Sequence, residues 1–199
     1  MKYFFKKQWI LIIVIVIFYL VFFIYYNKTS FSQKLISLPL ITESTASSTV
    51  QAEITSPVRL KIPTIEIDTI IEHVGLTSDG AMGVPKNNNN VAWYNLGPLP
   101  GTEGSAVIAG HLDGKNGQKA VFYNLKKLKK GDQIFIEDSQ KKIITFVVKE
   151  IRIYDSETFA PEIFTSSQGK HLNLITCSGN WNKYQKKYTQ RLVVFTDLE

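Results

Sequence analysis

The 199-residue chain has no second cysteine, so Cys177 cannot be half of an internal disulfide; it is either a buried inert thiol or a reactive one. Acidic residues are missing before position 35, whereas Lys2, Lys6, Lys7, Lys28 and Lys34 all lie there. Most of the formal net charge of +6 is therefore an N-terminal feature. The eighteen remaining basic residues face all seventeen acidic ones, leaving about +1 over residues 35–199. A near-neutral remainder argues against a phosphate-binding surface, and no nucleic acid is expected as a partner. Helical periodicity is scarce and no repeat period is visible. At 44% hydrophobic and 20% charged residues, the composition does not suit a wholly disordered chain.

One long apolar run is present. Residues 9–26 carry no charge, and at about 1.5 Å rise per residue they cover roughly 27 Å of a hydrocarbon core of about 30 Å. Lys2, Lys6 and Lys7 precede the run and, by the positive-inside rule, hold residues 1–8 in the cytoplasm. Trp9 at one end, with Tyr25 and Tyr26 at the other, resembles a pair of interfacial anchors. The run exceeds the usual h-region of about 7 to 15 residues, and no small-residue cleavage site follows at once, so an uncleaved anchor is expected rather than a removed signal peptide. The chain is thus expected to be single-pass in the cell membrane, with everything after residue 27 on the extracellular face.

Residues 27–56 read as a linker. Eight of the fifteen residues 42–56 are Ser or Thr, the composition of a solvated tether. From residue 57 the texture changes to short runs rich in Ile, Val, Phe and Thr, broken by Gly, Pro and Asn. Strands are expected near 58–62, 65–74, 105–109, 133–137, 143–154, 171–176 and 191–196. Phe122, Leu125 and Leu128 have i, i+3 spacing and predict a short helical turn ending at Gly131, with others near 92–96 and 157–164. The run Asn87 to Asn90 reads as a polar loop. Seven or eight strands in about 140 residues can enclose one core as a barrel or sandwich.

Three residues stand out chemically. Cys177 closes an apolar run and precedes Ser178, Gly179 and Asn180, so it is expected at a strand exit. His111 closes Ser105, Ala106, Val107, Ile108, Ala109 and Gly110 in the same way, at what reads as the mouth of a barrel. Arg191 opens the last strand after an expected 13-residue loop. Antiparallel pairing would set its guanidinium, a rigid fork of donors, beside the thiol. Solvent-facing or structural roles suit His73 and His171 better. Asp113 either orients His111 or belongs to a turn with Gly114. His111 and Asp113 lack further ligands at a recognisable spacing, so no metal and no cofactor is expected.

Leu174, Ile175, Thr176 and Cys177, the earlier Ala109, Gly110 and His111, and the later Arg191, Leu192, Val193 and Val194 together resemble the sortase family of membrane-anchored cysteine transpeptidases. The likeness runs from about Val58 to Leu198. Residues 80–85, 93–98 and 120–125 resemble its class F-like branch. The resemblance implies a mainly β fold, an eight-stranded sortase β-barrel with short helices behind one N-terminal transmembrane helix, and makes residues 57–199 the catalytic domain. It implies Cys177 as nucleophile, His111 as general acid and base, and Arg191 as substrate or oxyanion stabiliser. It also implies partners: surface proteins bearing C-terminal LPxTG-like sorting signals, and a peptidoglycan cross-bridge or pilin amine as acceptor.

With ordinary pKa values of about 8.5 and 6.5, thiolate and imidazolium would each be about 9% populated at pH 7.5, together roughly 1% if independent; mutual attraction would enlarge that fraction. Val107, Ile175 and Val193 are candidates to hold the Leu and Pro of a signal, with core packing as the alternative. Two other readings remain: a cysteine peptidase that hydrolyses the same kind of signal, and a non-catalytic, membrane-tethered β module. Papain-like order is disfavoured because His111 precedes Cys177.

Overall fold

The computed structural model describes residues 22–23, 54–166 and 168–199. The chain divides into two units, Met1–Thr49 and Val50–Glu199. In the first, Phe22 and Phe23 are helical and exposed. The rest of the expected span and of the linker up to residue 53 lies outside the described residues. Among the described residues no helix is long and apolar enough to cross a membrane.

The second unit is a closed barrel of eight strands. They are β1 (Pro57–Ile62), β2 (Ile67–Val74), β3 (Val91–Tyr94), β4 (Gly104–Gly110), β5 (Gln133–Asp138), β6 (Ile143–Asp155), β7 (Lys170–Asn182) and β8 (Lys187–Leu198). Around the barrel the order is β1, β2, β3, β4, β7, β8, β6, β5. Two neighbouring pairs are parallel, β2 with β3 and β4 with β7. Parallel neighbours cannot be joined by a tight hairpin. β2 therefore reaches β3 through a long connection, 75–90, while β5 and β6 form in the interval between β4 and β7.

Alternation along the strands separates two apolar layers. Ile108 of β4, Leu172 and Leu174 of β7, and Leu192 and Val194 of β8 point into the barrel, where they meet Phe122, Phe146, Leu60 and Ile136. Val107 and Val193 point outward and pack under Ile163, with Ile175 and Phe195 beside them. Every residue of β4 is buried, which explains why its sequence is a continuous apolar run rather than an alternating one.

Three expectations are corrected. Residues 92–96 are not a helical turn: Val91, Ala92 and Trp93 lie buried in β3, between β2 and β4. Four residues are too few to display a period of two. The strand expected from residue 65 begins at Ile67, because a 3-10 turn, Pro63–Ile65, ends on Glu66 with φ at 56° and redirects the chain. β7 does not stop at Cys177, and no 13-residue loop follows. Ser178, Gly179 and Asn180 form an irregularity within the strand, Gly179 at φ +76°, and pairing with β8 resumes at Trp181 and Tyr188. The connection is only 183–186. The other expected helical turns appear as three-residue 3-10 turns, Leu125–Lys127 and Pro161–Ile163.

Candidate active site

Strand register assembles the site. β4 and β7 run parallel with Ala109 opposite Ile175, and the Thr176 hydroxyl donates to the Gly110 carbonyl at 2.8 Å. Continuing that offset by two residues sets His111 beside Cys177. On the other side of Cys177, β8 places Arg191 directly opposite it in the antiparallel ladder. Neighbouring strands lie about 5 Å apart, so a thiol is flanked by an imidazole-bearing and a guanidinium-bearing residue. All three are half-buried and line one cavity of about 270 Å³.

Their position departs from the barrel mouth expected of strand exits. Leu174 and Leu192 alternate into the core, so Ile175, Cys177 and Arg191 occupy the outer face of the sheet. The connection 75–90 and the 3-10 turn before β7 cover this face. They contribute Met82, Val84 and Phe164 as apolar walls. The Asn173 amide donates to the Ile163 carbonyl at 2.7 Å and holds that turn against β7. Of the proposed apolar contacts, Ile175 lines the cavity, whereas Val107 and Val193 are buried beneath it.

His111 has a defined tautomer. Its Nε2 lies 2.9 Å from the Pro85 carbonyl, which can only accept, so Nε2 carries a proton and Nδ1 is the free base of the neutral ring. His73 makes the same kind of bond to the Pro57 carbonyl and packs edge-on against Trp93. His171 pairs with Asp197 at 2.8 Å. Neither histidine lines the cavity that holds Cys177.

Burial pushes the Cys177 thiol above the ordinary cysteine range; Arg191 opposes the shift and Asp113 adds to it. Desolvation therefore outweighs the attraction of the Arg191 guanidinium for the thiolate. Arg191 is anchored through one nitrogen, which donates to the Gln190 carbonyl at 3.0 Å and reaches the Tyr188 carbonyl at 3.5 Å. The Asp113 carboxylate does not hydrogen-bond the His111 ring. It accepts a hydrogen bond from the Tyr188 hydroxyl, and the Asp113 backbone bridges Lys119 to close the turn. Tyr188 and the Pro85 carbonyl carried no sequence signal: one is an unremarkable aromatic in a supposed loop, the other a backbone atom.

Gly110 is required by packing. A Cβ there would stand 2.4 Å from the ring of Phe122, itself fully buried. Gly110→Ala is expected to destabilise the domain by about 1–3 kcal/mol, because the ring has nowhere to retreat. Thermal unfolding should show Tm lower by several degrees; an unchanged Tm would mean that the ring shifts freely.

Two further concavities of about 290 Å³ each contain no cysteine. One is lined by Ile54, Gly101 and Ile144, the other by paired charges that include Lys149 with Asp197. Among the described residues no group of His, Cys, Asp and Glu could hold a metal ion. A thiol, an imidazole with a free Nδ1 and a fixed guanidinium in one apolar-walled cavity are the parts required for acyl transfer through a thioester.

Among curated proteins none matches the chain in sequence. Solved structures do. The chain resembles a lid mutant of sortase A from Corynebacterium diphtheriae at 23% identity and a TM-score of 0.56, over 75% of this chain and 73% of that one. Sortase C-1 from Actinomyces oris is similar at 23% identity and 0.57, over 72% and 75%. Sortase A of Listeria monocytogenes is similar at 20% and 0.53, over 71% and 86%. At these identities the likeness is one of fold. The family is given by the sequence model for the sortase domain, which matches residues 60–199. The chain belongs to the sortase family of cysteine transpeptidases.

Proposed function

We propose that the protein is a membrane-anchored transpeptidase that cleaves an LPxTG-like sorting signal after its Thr and joins the released carboxyl end to an envelope amine, either a peptidoglycan cross-bridge or a pilin lysine. The observation that carries this reading is the cavity shared by Cys177 of β7, Arg191 opposite it on β8 and His111 just beyond the end of β4. Residues 80–85, 93–98 and 120–125 support assignment to the class F-like branch. The apolar span at 9–26 and its lysine flank support a single pass with the catalytic domain outside.

In the proposed reaction the Cys177 thiolate adds to the Thr carbonyl, and the negative charge that develops on its oxygen is met by Arg191. The peptide C–N bond breaks as His111, in its imidazolium form, gives the Nδ1 proton to the departing amine. An incoming neutral amine then attacks the thioester, its proton passes to Nδ1, and the thiolate leaves. The Pro85 carbonyl holds the Nε2 proton throughout, so the ring transfers protons from one nitrogen only. Because burial disfavours the resting thiolate, the guanidinium has to act on both the nucleophile and the oxyanion.

The purified full chain incubated with an LPxTG peptide and triglycine should yield ligated peptide. Cleavage without ligation would favour a peptidase, and neither product would refute acyl transfer on this signal class.

A further inference from the structure

We propose that Asp113 and Tyr188 form a clasp that positions His111 beside the Cys177–Arg191 pair, making both of them positioning residues for acyl transfer. The inference rests on the reading of those three groups given above. Asp113 lies two residues beyond His111, on the segment that leaves β4; Tyr188 lies three residues before Arg191, on β8. The Tyr188 hydroxyl donates to the Asp113 carboxylate across this gap.

At Gly110 the segment is tied to β7 by the Thr176 hydroxyl, and the His111 ring reaches the Pro85 carbonyl; its other backbone hydrogen bonds stay within the loop. The His111 carbonyl accepts from the Phe122 amide at 2.9 Å, the Leu112 carbonyl from Ala120 at 3.2 Å, and Gly114 donates to the Gln118 carbonyl at 2.8 Å. These contacts hold the segment to β7 and to the 75–90 connection, and none of them reaches β8, which carries the guanidinium. The Asp113–Tyr188 bond supplies that link. Tyr188 is itself held: it pairs with Trp181 across the ladder, its ring packs edge-on against that indole at 5.3 Å, and its carbonyl lies 3.5 Å from the Arg191 guanidinium. Tyr188 therefore reaches the histidine-bearing segment through its hydroxyl and the Arg191 guanidinium through its carbonyl.

Electrostatics separates positioning from activation. The hydrogen bond to Asp113 pushes the Tyr188 phenol up to about 12, so it remains a donor throughout the neutral range. The same carboxylate works against ionisation of Cys177. A group that opposes the nucleophile's charge cannot serve by activating it, and what remains is its hold on geometry. Catalytic groups must sit within about 0.5 Å of productive positions, and a displacement of about 1 Å can cost roughly a hundredfold in rate.

The test compares four variants of the full chain in the peptide ligation assay. Tyr188→Phe keeps the ring on Trp181 and removes the donor; Asp113→Ala removes the acceptor; Asp113→Asn keeps a carbonyl that the phenol can reach. Tyr188→Phe and Asp113→Ala should each lower kcat about tenfold, with KM for the signal peptide within about twofold of wild type. Asp113→Asn should recover most of the rate, and the double variant Asp113→Ala/Tyr188→Phe should be no slower than either single one. Wild-type kcat in Tyr188→Phe, additive losses, or an effect confined to KM would overturn the clasp while leaving the function intact. If the wild-type chain itself ligates nothing, the functional reading fails and the clasp is judged on the ¹⁵N ring resonances of His111. One sharp set in wild type that broadens in Tyr188→Phe and is restored in Asp113→Asn supports it; unchanged resonances overturn it.

Discussion

Cys177→Ala should leave no ligated product and no enzyme-bound peptide, a loss of at least about 10⁴-fold that reaches assay background. The cavity offers no second thiol: its walls include Ala81, Met82, Val84, Phe164 and Ile175, the Thr176 hydroxyl is committed to the Gly110 carbonyl, and the chain has no other cysteine. The substitution should be gentle on the fold, because Cys177 is half-buried and its neighbours Thr176 and Leu192 supply the packing into the barrel. Intact-mass measurement of the wild-type chain with a signal peptide should reveal an adduct on Cys177 equal to the peptide up to its Thr. A Cys177→Ala variant that still ligates would remove the thiol from the mechanism and leave a tethered binding module as the better description.

Arg191→Lys should reduce kcat/KM by about 10²–10³-fold, the usual effect of losing one preorganised oxyanion donor. Charge is conserved in this exchange; the planar fork is not. Arg191 spends one nitrogen on the Gln190 and Tyr188 carbonyls, and this contact fixes the plane in which its remaining N–H groups lie. A lysine ammonium has three donors on a flexible stem and cannot keep both the backbone anchor and a directed contact with the reacting carbonyl. Steady-state kinetics with the signal peptide would decide the matter, and full activity would take Arg191 out of the reaction. Cys177 ionisation should suffer less than turnover, since the positive charge that opposes the burial penalty is retained.

The distribution of apolar runs made a mainly β fold legible because β1, β2, β5, β6 and β8 are long enough to declare a period or an apolar face, whereas the choice of a barrel over a sandwich came from the family resemblance. β3 was not legible: four residues buried between two neighbours look like any short apolar patch. The three side chains were readable from their places at apolar runs, and antiparallel pairing was expected to set Arg191 beside Cys177; the parallel contact of β4 with β7, which adds His111, is a pairing that a sequence does not state. Cys177 pairs with Arg191 as expected, but the strands do not end there, because Gly179 accommodates an irregularity that lets the hairpin continue to Asn182. Ser, Gly and Asn carry the same turn signal in both cases, so local chemistry could not distinguish a stop from a bulge. Asp113 shows the same limit. Its turn with Gly114 was visible locally, whereas its bond to Tyr188, 75 residues away, depends on the closed barrel.

The parallel contact between β4 and β7 links residues 66 positions apart, as the Thr176–Gly110 bond shows. Loops of that length close late and at an entropic cost, after the intervening hairpin has formed. An emerging chain therefore has a thiol and an imidazole but no catalytic centre until the barrel is sealed. A site assembled this way depends on the whole barrel rather than on any one hairpin, so its geometry and the tertiary structure should be lost together on unfolding.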